Sequence, residues 1–260
     1  MILLSFDVEE FDLPLEYGKQ IPFTEQLSIS TEGTLAILEL LARNAIKATF
    51  FITANYALNQ PDVVAKIVAA GHEVASHGYY HSAFENRHLL ESREALEKLT
   101  GLPVKGFRMA RMMPVDVLEI KKSGYSYNSS INPTWLPGRY NNLNVSRTFY
   151  HEQGVLQLPS SVSPVIRFPL FWLSFHNLPM TIINWLSIRT HKKDGYLNIY
   201  FHPWEFTNLH NKERFGIPGY ISRNSGKPFI NRLDGFIQNA QKRGLTFGTI
   251  QQYFAAELAS

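Results

Sequence analysis

His77 and His81 stand four residues apart in "ASHGYYHS", residues 75 to 82, a segment of small and aromatic residues with no Asp, Glu, Lys or Arg. If the segment makes a helical turn, both imidazoles lie on one face, because residues four apart are neighbours there. Such a pair is a bidentate grip for a divalent cation. A carboxylate or a third histidine must complete it, with one position left open if the ion is to do chemistry. The pair alone decides nothing: nine His in 260 residues give about 0.3 such spacings by chance. Hydrogen-bonded rim histidines account for it equally well.

Acidic residues cluster in "SFDVEEFD" near the start of the chain. Along an extended strand alternate side chains share a face, so Asp7 and Glu9 point together while Val8 turns away. One carboxylate of such a pair can bind a metal while the other takes a proton from water, provided their surroundings separate the two acidities. A solvent-facing strand end is the plainer reading of Asp7, Glu9 and Glu10. Arg108 in "GFRMA" and His202 in "FHPWEF" are likewise open to structural explanations, an ion pair and a buried histidine.

The elements that must carry these residues alternate along the chain. Strand patterns fall at 2–9, 47–53, 73–78, 104–109, 125–131, 155–159, 197–202 and 245–250. Between them "TLAILELLARN", "PDVVAKIVAAG", "LLESREALEKLTG" and "RLDGFIQNAQKRG" have helical periodicity and end in Gly or Asn. This alternation predicts an α/β fold of parallel strands and crossover helices: one domain over residues 1–260, built as a (β/α) barrel of seven or eight units. Side chains at the carboxyl ends of barrel strands converge on one mouth, and Asp7, Glu9, His77, His81, Arg108 and His202 all fall at such ends. Residues 132–153 and 207–227, rich in Asn, Gly, Pro and Arg, are expected to be long loops.

Composition narrows the chemistry. Hydrophobic residues make up 45% and charged residues 18% of the chain, which describes a globular protein. The net charge of +3 comes without a dense basic run, so no nucleic-acid partner is expected. The absence of Cys excludes disulfides, iron–sulfur clusters and thiolate zinc sites, leaving His and carboxylates as metal ligands. "MILLSFDVEE" has no basic n-region and its apolar run stops after four residues, so no signal peptide and a cytoplasmic location are expected. Residues 165–186 are apolar but contain Arg167, His176, Asn177 and two prolines; a loop and an amphipathic helix are expected there, not a transmembrane segment.

In order along the chain, "SFDVEE", "KATFFIT", "AAGHEVASHGYYH", "GFRMA", "GYSYNSS", "IYFHPWEF" and "GLTFGTIQQYF" resemble the polysaccharide deacetylases of the NodB-homology type, carbohydrate esterase family four. The "DVE" and "HPWE" motifs resemble one branch of it. The resemblance implies a single distorted (β/α)7-8 barrel of the glycoside hydrolase/deacetylase type. It also implies one divalent metal ion: zinc, with cobalt or nickel as alternatives. Glu9, His77 and His81 match the family's metal ligands, Glu9 replacing the usual aspartate and Glu10 competing if a bulge shifts the register. Asp7 matches the general base, His202 the acid that protonates the departing amine, and Arg108 the residue that holds Asp7.

The implied reaction is hydrolysis of an N-acetyl group from an N-acetylated sugar in a polysaccharide or glycoconjugate, such as a bacterial cell-envelope polysaccharide. Two departures stand against the family pattern. Ala110 replaces a proline and is followed by Arg111, which alters the expected substrate floor. Asn128 stands where relatives often carry an aspartate that charges the acid histidine, and an amide supplies no such charge. Tyr79, Arg111 and Trp204 are the expected substrate contacts, with Tyr80, Trp135 and Trp172 as further aromatic faces suited to pyranose rings; packing is the competing role for each Trp. A metal-independent C–N hydrolase and a glycan-binding relative that has lost turnover are the alternatives. A glycosidase using Glu9 or Glu10 with Glu205 leaves the histidines without a task.

Overall fold

Ile2–Val8 form strand β1, buried along its whole length and paired in parallel on both sides, in a computed structural model that describes residues 1–258. The other strands are β2 (Thr49–Ile52), β3 (Glu73–Ser76), β4 (Gly106–Phe107), β5 (Tyr127–Asn128), β6 (Trp135–Leu136), β7 (Tyr140–Asn141), β8 (Tyr150–Glu152), β9 (Val155–Gln157) and β10 (Leu197–Phe201). The main sheet has the order β10-β1-β2-β3-β4-β5-β9-β8, with β6 and β7 forming a separate hairpin. Neighbours in the main sheet are parallel except β8, which runs antiparallel to β9 at the edge.

Alternation along β1 separates two apolar layers. Ile2, Leu4, Phe6 and Val8 join the cluster under the outer helices with Ile37, Leu40, Phe229 and Leu233. Leu3 packs with Phe51, Ala75, Tyr127 and Leu156 in a second, smaller cluster. The sheet therefore curls with side chains filling its concave face.

The curl does not close through an eighth parallel strand. Residues 245–250, expected as that strand, make one isolated bridge, Phe247 to Ile2, before Thr249 caps the short helix Ile250–Tyr253. A side-chain cap and a strand ladder compete for the same backbone, and the cap wins. On the other side the segment after β9 reaches β10 directly: Ser161 N donates to Asn198 O at 2.8 Å, and Asn198 N to Ser161 Oγ at 2.9 Å. The architecture is thus a curled half-barrel.

Helices cover the outer face at Phe23–Arg43, Pro61–Ala69, Arg87–Thr100, Met180–Asp194 and Lys227–Lys242. The first begins at Phe23, well before the apolar periodicity that starts at Thr34. Its early turns bury polar groups instead: Ser30 Oγ donates to Glu9 O at 2.5 Å, and Thr34 Oγ1 to Ser30 O at 2.7 Å. The apolar stretch 165–186 contains the helix Trp172–Asn177 and the start of Met180–Asp194. Among the described residues no helix is long and apolar enough to cross a membrane. The two expected loops are partly ordered into elements: 132–153 includes β6, β7 and β8, and 207–227 includes the turns Lys212–Phe215 and Gly219–Ser222.

Strand register sets the mouth. Val8 pairs with Ile52, Ile52 with Ser76 and Ser76 with Phe107, so the following residues, Glu9, Thr53, His77 and Arg108, leave the sheet at one level. Phe6 pairs with Phe201, which puts His202 level with Asp7.

Candidate active site

The two histidines lie in a loop and not in the helical turn their spacing allows. Strand β3 stops at Ser76, and Gly78 takes φ +84°, a left-handed conformation in which glycine bears no steric penalty. The loop is pinned to the exit of β2: His77 N donates to Ile52 O, Ala54 N to Gly78 O and Asn55 N to Tyr79 O, all within 3.0 Å. This turn holds the imidazoles with centroids 6.0 Å apart and planes 23° apart.

Both rings address Glu9. His77 Nε2 lies 3.1 Å and His81 Nε2 3.0 Å from Glu9 Oε2, while Trp204 Nε1 donates to Glu9 Oε1 at 3.3 Å. The opposite ring nitrogens have oxygen partners, Arg108 O at 3.0 Å from His77 Nδ1 and Asp12 Oδ1 at 2.7 Å from His81 Nδ1. An Nδ1–H given to those oxygens leaves each Nε2 lone pair facing inward. One ligand atom each from Glu9, His77 and His81 lies within 4.8 Å of the other two. Two imidazoles, one carboxylate and oriented outer partners form a donor set that fits zinc or a similar divalent ion.

Without an ion, a proton on His81 joins the same groups. Burial alone would raise the pKa of Glu9, but His81, His77 and His202 outweigh it and hold it down at about 2. Burial likewise opposes charge on His81, yet Glu9 and Asp12 raise it to about 9. A proton thus sits among groups that a cation would bridge.

Glu10, the competing ligand, points elsewhere: its carboxylate accepts from Thr53 Oγ1 at 2.8 Å and from Asn55 Nδ2. Asp7 is buried and paired with Arg108, whose Nη1 donates to Asp7 Oδ1 at 2.6 Å. The guanidinium also reaches Ser5 Oγ, Ser129 O and Ser129 Oγ, and sits 4.0 Å above the Phe51 ring. Ser5 and Ser129 lie within "SFDVEE" and "GYSYNSS", but their residue types alone assign them no role.

His202 brings a partner that sequence reasoning missed. Its Nδ1 lies 2.9 Å from Glu205 Oε1, which also accepts its backbone N–H at 2.6 Å. Asn128, placed by sequence beside the acid histidine, instead donates to Gln157 Oε1 at 2.8 Å and accepts from Ser130 Oγ. The carboxylate comes from the turn itself. His-Pro-Trp-Glu, with Pro at the first helical position and Glu two residues later, is a capping-box pattern, and that signal could have found Glu205. Burial opposes charge on His202, but Glu205, Glu9 and Asp7 together raise its affinity for a proton.

The expected substrate contacts are redistributed. Trp204 is buried, stacked on His202 at 4.7 Å and 15°, so it orients Glu9 and His202 and offers no open platform for a sugar. Trp172 is half-buried and meets His202 edge-on at 5.4 Å. Arg111 is engaged by two carboxylates, Asp12 at 3.1 Å and Glu16. Tyr79 turns toward His88 in a groove it shares with Tyr80, Arg87 and Glu91. Asp12, the last acidic residue of "SFDVEEFD" and given no role there, links Arg111 to His81.

A family model, polysaccharide deacetylase, matches residues 23–112. Over that stretch the chain is similar to the polysaccharide deacetylases. That match takes in His77, His81 and Arg108; Asp7, Glu9 and His202 lie outside it. A chitooligosaccharide deacetylase from Bradyrhizobium sp. (strain ANU 289) is 42% identical over 45 residues, 17% of this chain. The chain spans about a fifth of the length of the curated relatives it matches. A Mycobacterium smegmatis chain assigned as a polysaccharide deacetylase superposes with TM-score 0.68 at 19% identity, covering 99% of this chain and 90% of that one. An allantoinase superposes with TM-score 0.66 at 19% identity, covering 98% and 89%. These likenesses establish the deacetylase-type fold.

Proposed function

We propose that the protein is a metal-dependent carbohydrate N-deacetylase, hydrolysing the acetamide of an N-acetylated sugar in a glycan or glycoconjugate. The observation that carries this reading is the convergence of Glu9, His77 and His81 on one point, beside a buried Asp7–Arg108 pair and a carboxylate-backed His202. The local identity to a chitooligosaccharide deacetylase supports the substrate class.

Glu9 Oε2 and the Nε2 atoms of His77 and His81 would hold the ion. When bound, a divalent cation supplies Lewis-acid polarisation of the acyl carbonyl and makes water acidic enough to attack near neutral pH. Asp7 accepts the proton of the attacking water. Arg108 occupies one Asp7 oxygen and leaves the other for that proton. His202 gives a proton to the departing amine, and Trp204 keeps its imidazole in plane by stacking. Trp172, partly exposed beside His202, contributes an apolar face for the sugar ring.

Acetate release from chitooligosaccharides, with and without chelator, tests the reading. Chelator-sensitive release that returns with zinc supports it, and release indifferent to metal refutes it. A metal-independent C–N hydrolase is the second reading, favoured by the fold shared with an allantoinase. It predicts ureide hydrolysis by protein stripped of metal.

A further inference from the structure

Behind His202 stands a second histidine that the proposed mechanism does not use. Glu205 is fully buried and receives three N–H groups: His202 N at 2.6 Å, His202 Nδ1 at 2.9 Å and His176 Nε2 at 2.9 Å. His176 is also buried, in the helix Trp172–Asn177, with its ring stacked on Phe229 at 4.0 Å and 14°. Its Nδ1 is buried and has no hydrogen-bond partner. A neutral imidazole has a single ring proton, and donation to Glu205 places it on Nε2, leaving the lone pair at Nδ1. An unmet buried nitrogen costs stability and calls for a reason. Holding the carboxylate is that reason.

We propose that Glu205, braced by His176, is the carboxylate that orients His202 as an acid, replacing the aspartate that Asn128 cannot supply, and that His176 is a positioning residue acting through Glu205. The geometry fixes the tautomer of His202. With Nδ1–H committed to Glu205, Nε2 is the atom left to carry the exchangeable proton, and Trp204 stacking sets the ring plane. Glu9 and Asp7 add negative charge from the strand β1 side, and Glu205 adds it from the His202 turn. The assignment rests on the deacetylase reading only for the reaction that His202 serves.

The test is a titration of zinc-loaded protein labelled with ¹⁵N-histidine, in which the His202 signals are identified by their loss in His202→Gln. Neutral His202 is expected as the Nδ1–H tautomer. Glu205→Gln should lower its protonation midpoint by about one to two pH units, the reach of an opposite charge at hydrogen-bond distance. The alkaline limb of kcat for acetate release should move by the same amount. His176→Phe should lower the midpoint in the same direction, and His176→Gln, which keeps an N–H for Glu205, should restore it. An Nε2–H tautomer in the wild type overturns the proposal, as does an unmoved midpoint in Glu205→Gln or equal behaviour of the two His176 variants. If Glu205→Gln does not fold, the wild-type tautomer and the His176 pair still decide. Intact titration shifts without acetate release by the wild type sink the deacetylase reading and support the brace.

Discussion

Asp12 Oδ1 lies 2.7 Å from His81 Nδ1, on the ring edge opposite the one that faces Glu9. The second Asp12 oxygen takes Arg111 Nη2 at 3.1 Å, so an ion pair fixes the carboxylate that aims the histidine. Outer partners of this kind are worth about 10–100-fold in metal affinity. Asp12→Asn should therefore raise the zinc dissociation constant by that factor, measured by competition with a chromophoric chelator. Glu10→Gln, which disturbs bonds to Thr53 and Asn55, should leave it near the wild-type value. The reverse order would identify Glu10 as the acidic ligand.

Metal binding should release a proton. His81 holds one up to about pH 9 in the metal-free protein, whereas Glu9, at about 2, has none to give near neutrality. At a pH between 7 and 8, calorimetry in buffers of different ionisation enthalpy should report about one proton lost per zinc bound. Equal heats in phosphate and Tris would contradict this.

Without metal, the same pair makes stability depend on pH. Glu9 titrates near 2 against an ordinary 4.5, so its contribution is complete above 4.5 and fades as pH falls through 2. His81 titrates near 9 against 6.5, so its contribution is complete below 6.5 and fades as pH rises through 9. The Tm of chelator-treated protein should fall between pH 6.5 and 9. In His81→Gln that fall should flatten; a slope unchanged by the substitution would show that other groups set it.

Gly33 lets the long helix Phe23–Arg43 touch the turn that carries Trp204 and Glu205. A Cβ there would stand 1.9 Å from Pro203 O and 2.4 Å from Pro203 C, both backbone atoms with little freedom to yield. In an open helix Gly→Ala gains roughly 0.5–1 kcal/mol. Here the sign should reverse, to a loss of about 1–3 kcal/mol from overpacking in chemical denaturation. Acetate release should also drop, because the displaced turn moves Glu205 against His202. A stabilised, fully active Gly33→Ala would show that the contact is slack.

Residues that terminate strands are legible in the sequence, because alternation along β1 and the order of the apolar runs place Asp7, Glu9, His77, Arg108 and His202 at one end of the sheet. Local spacing misled at His77 and His81: four residues suggest a helical turn, but Gly78 in a left-handed conformation turns the chain and tertiary hydrogen bonds hold the loop. The strand pattern at 245–250 was overridden by the Thr249 cap. Asp12 and His176 act through contacts of 69 and 29 residues' separation, which no local pattern encodes. Glu205 was readable as the third helical residue of a capped turn, and its chemical use emerges only once His202 folds over it.

The most direct test is a zinc titration of metal-stripped protein, following acetate released from a chitooligosaccharide as zinc rises from none to excess. Release should climb in proportion to zinc and break at one equivalent in the wild type, and stay at background in His81→Gln. Full release from the stripped protein, or an unchanged titration in His81→Gln, would contradict a metal held by Glu9, His77 and His81.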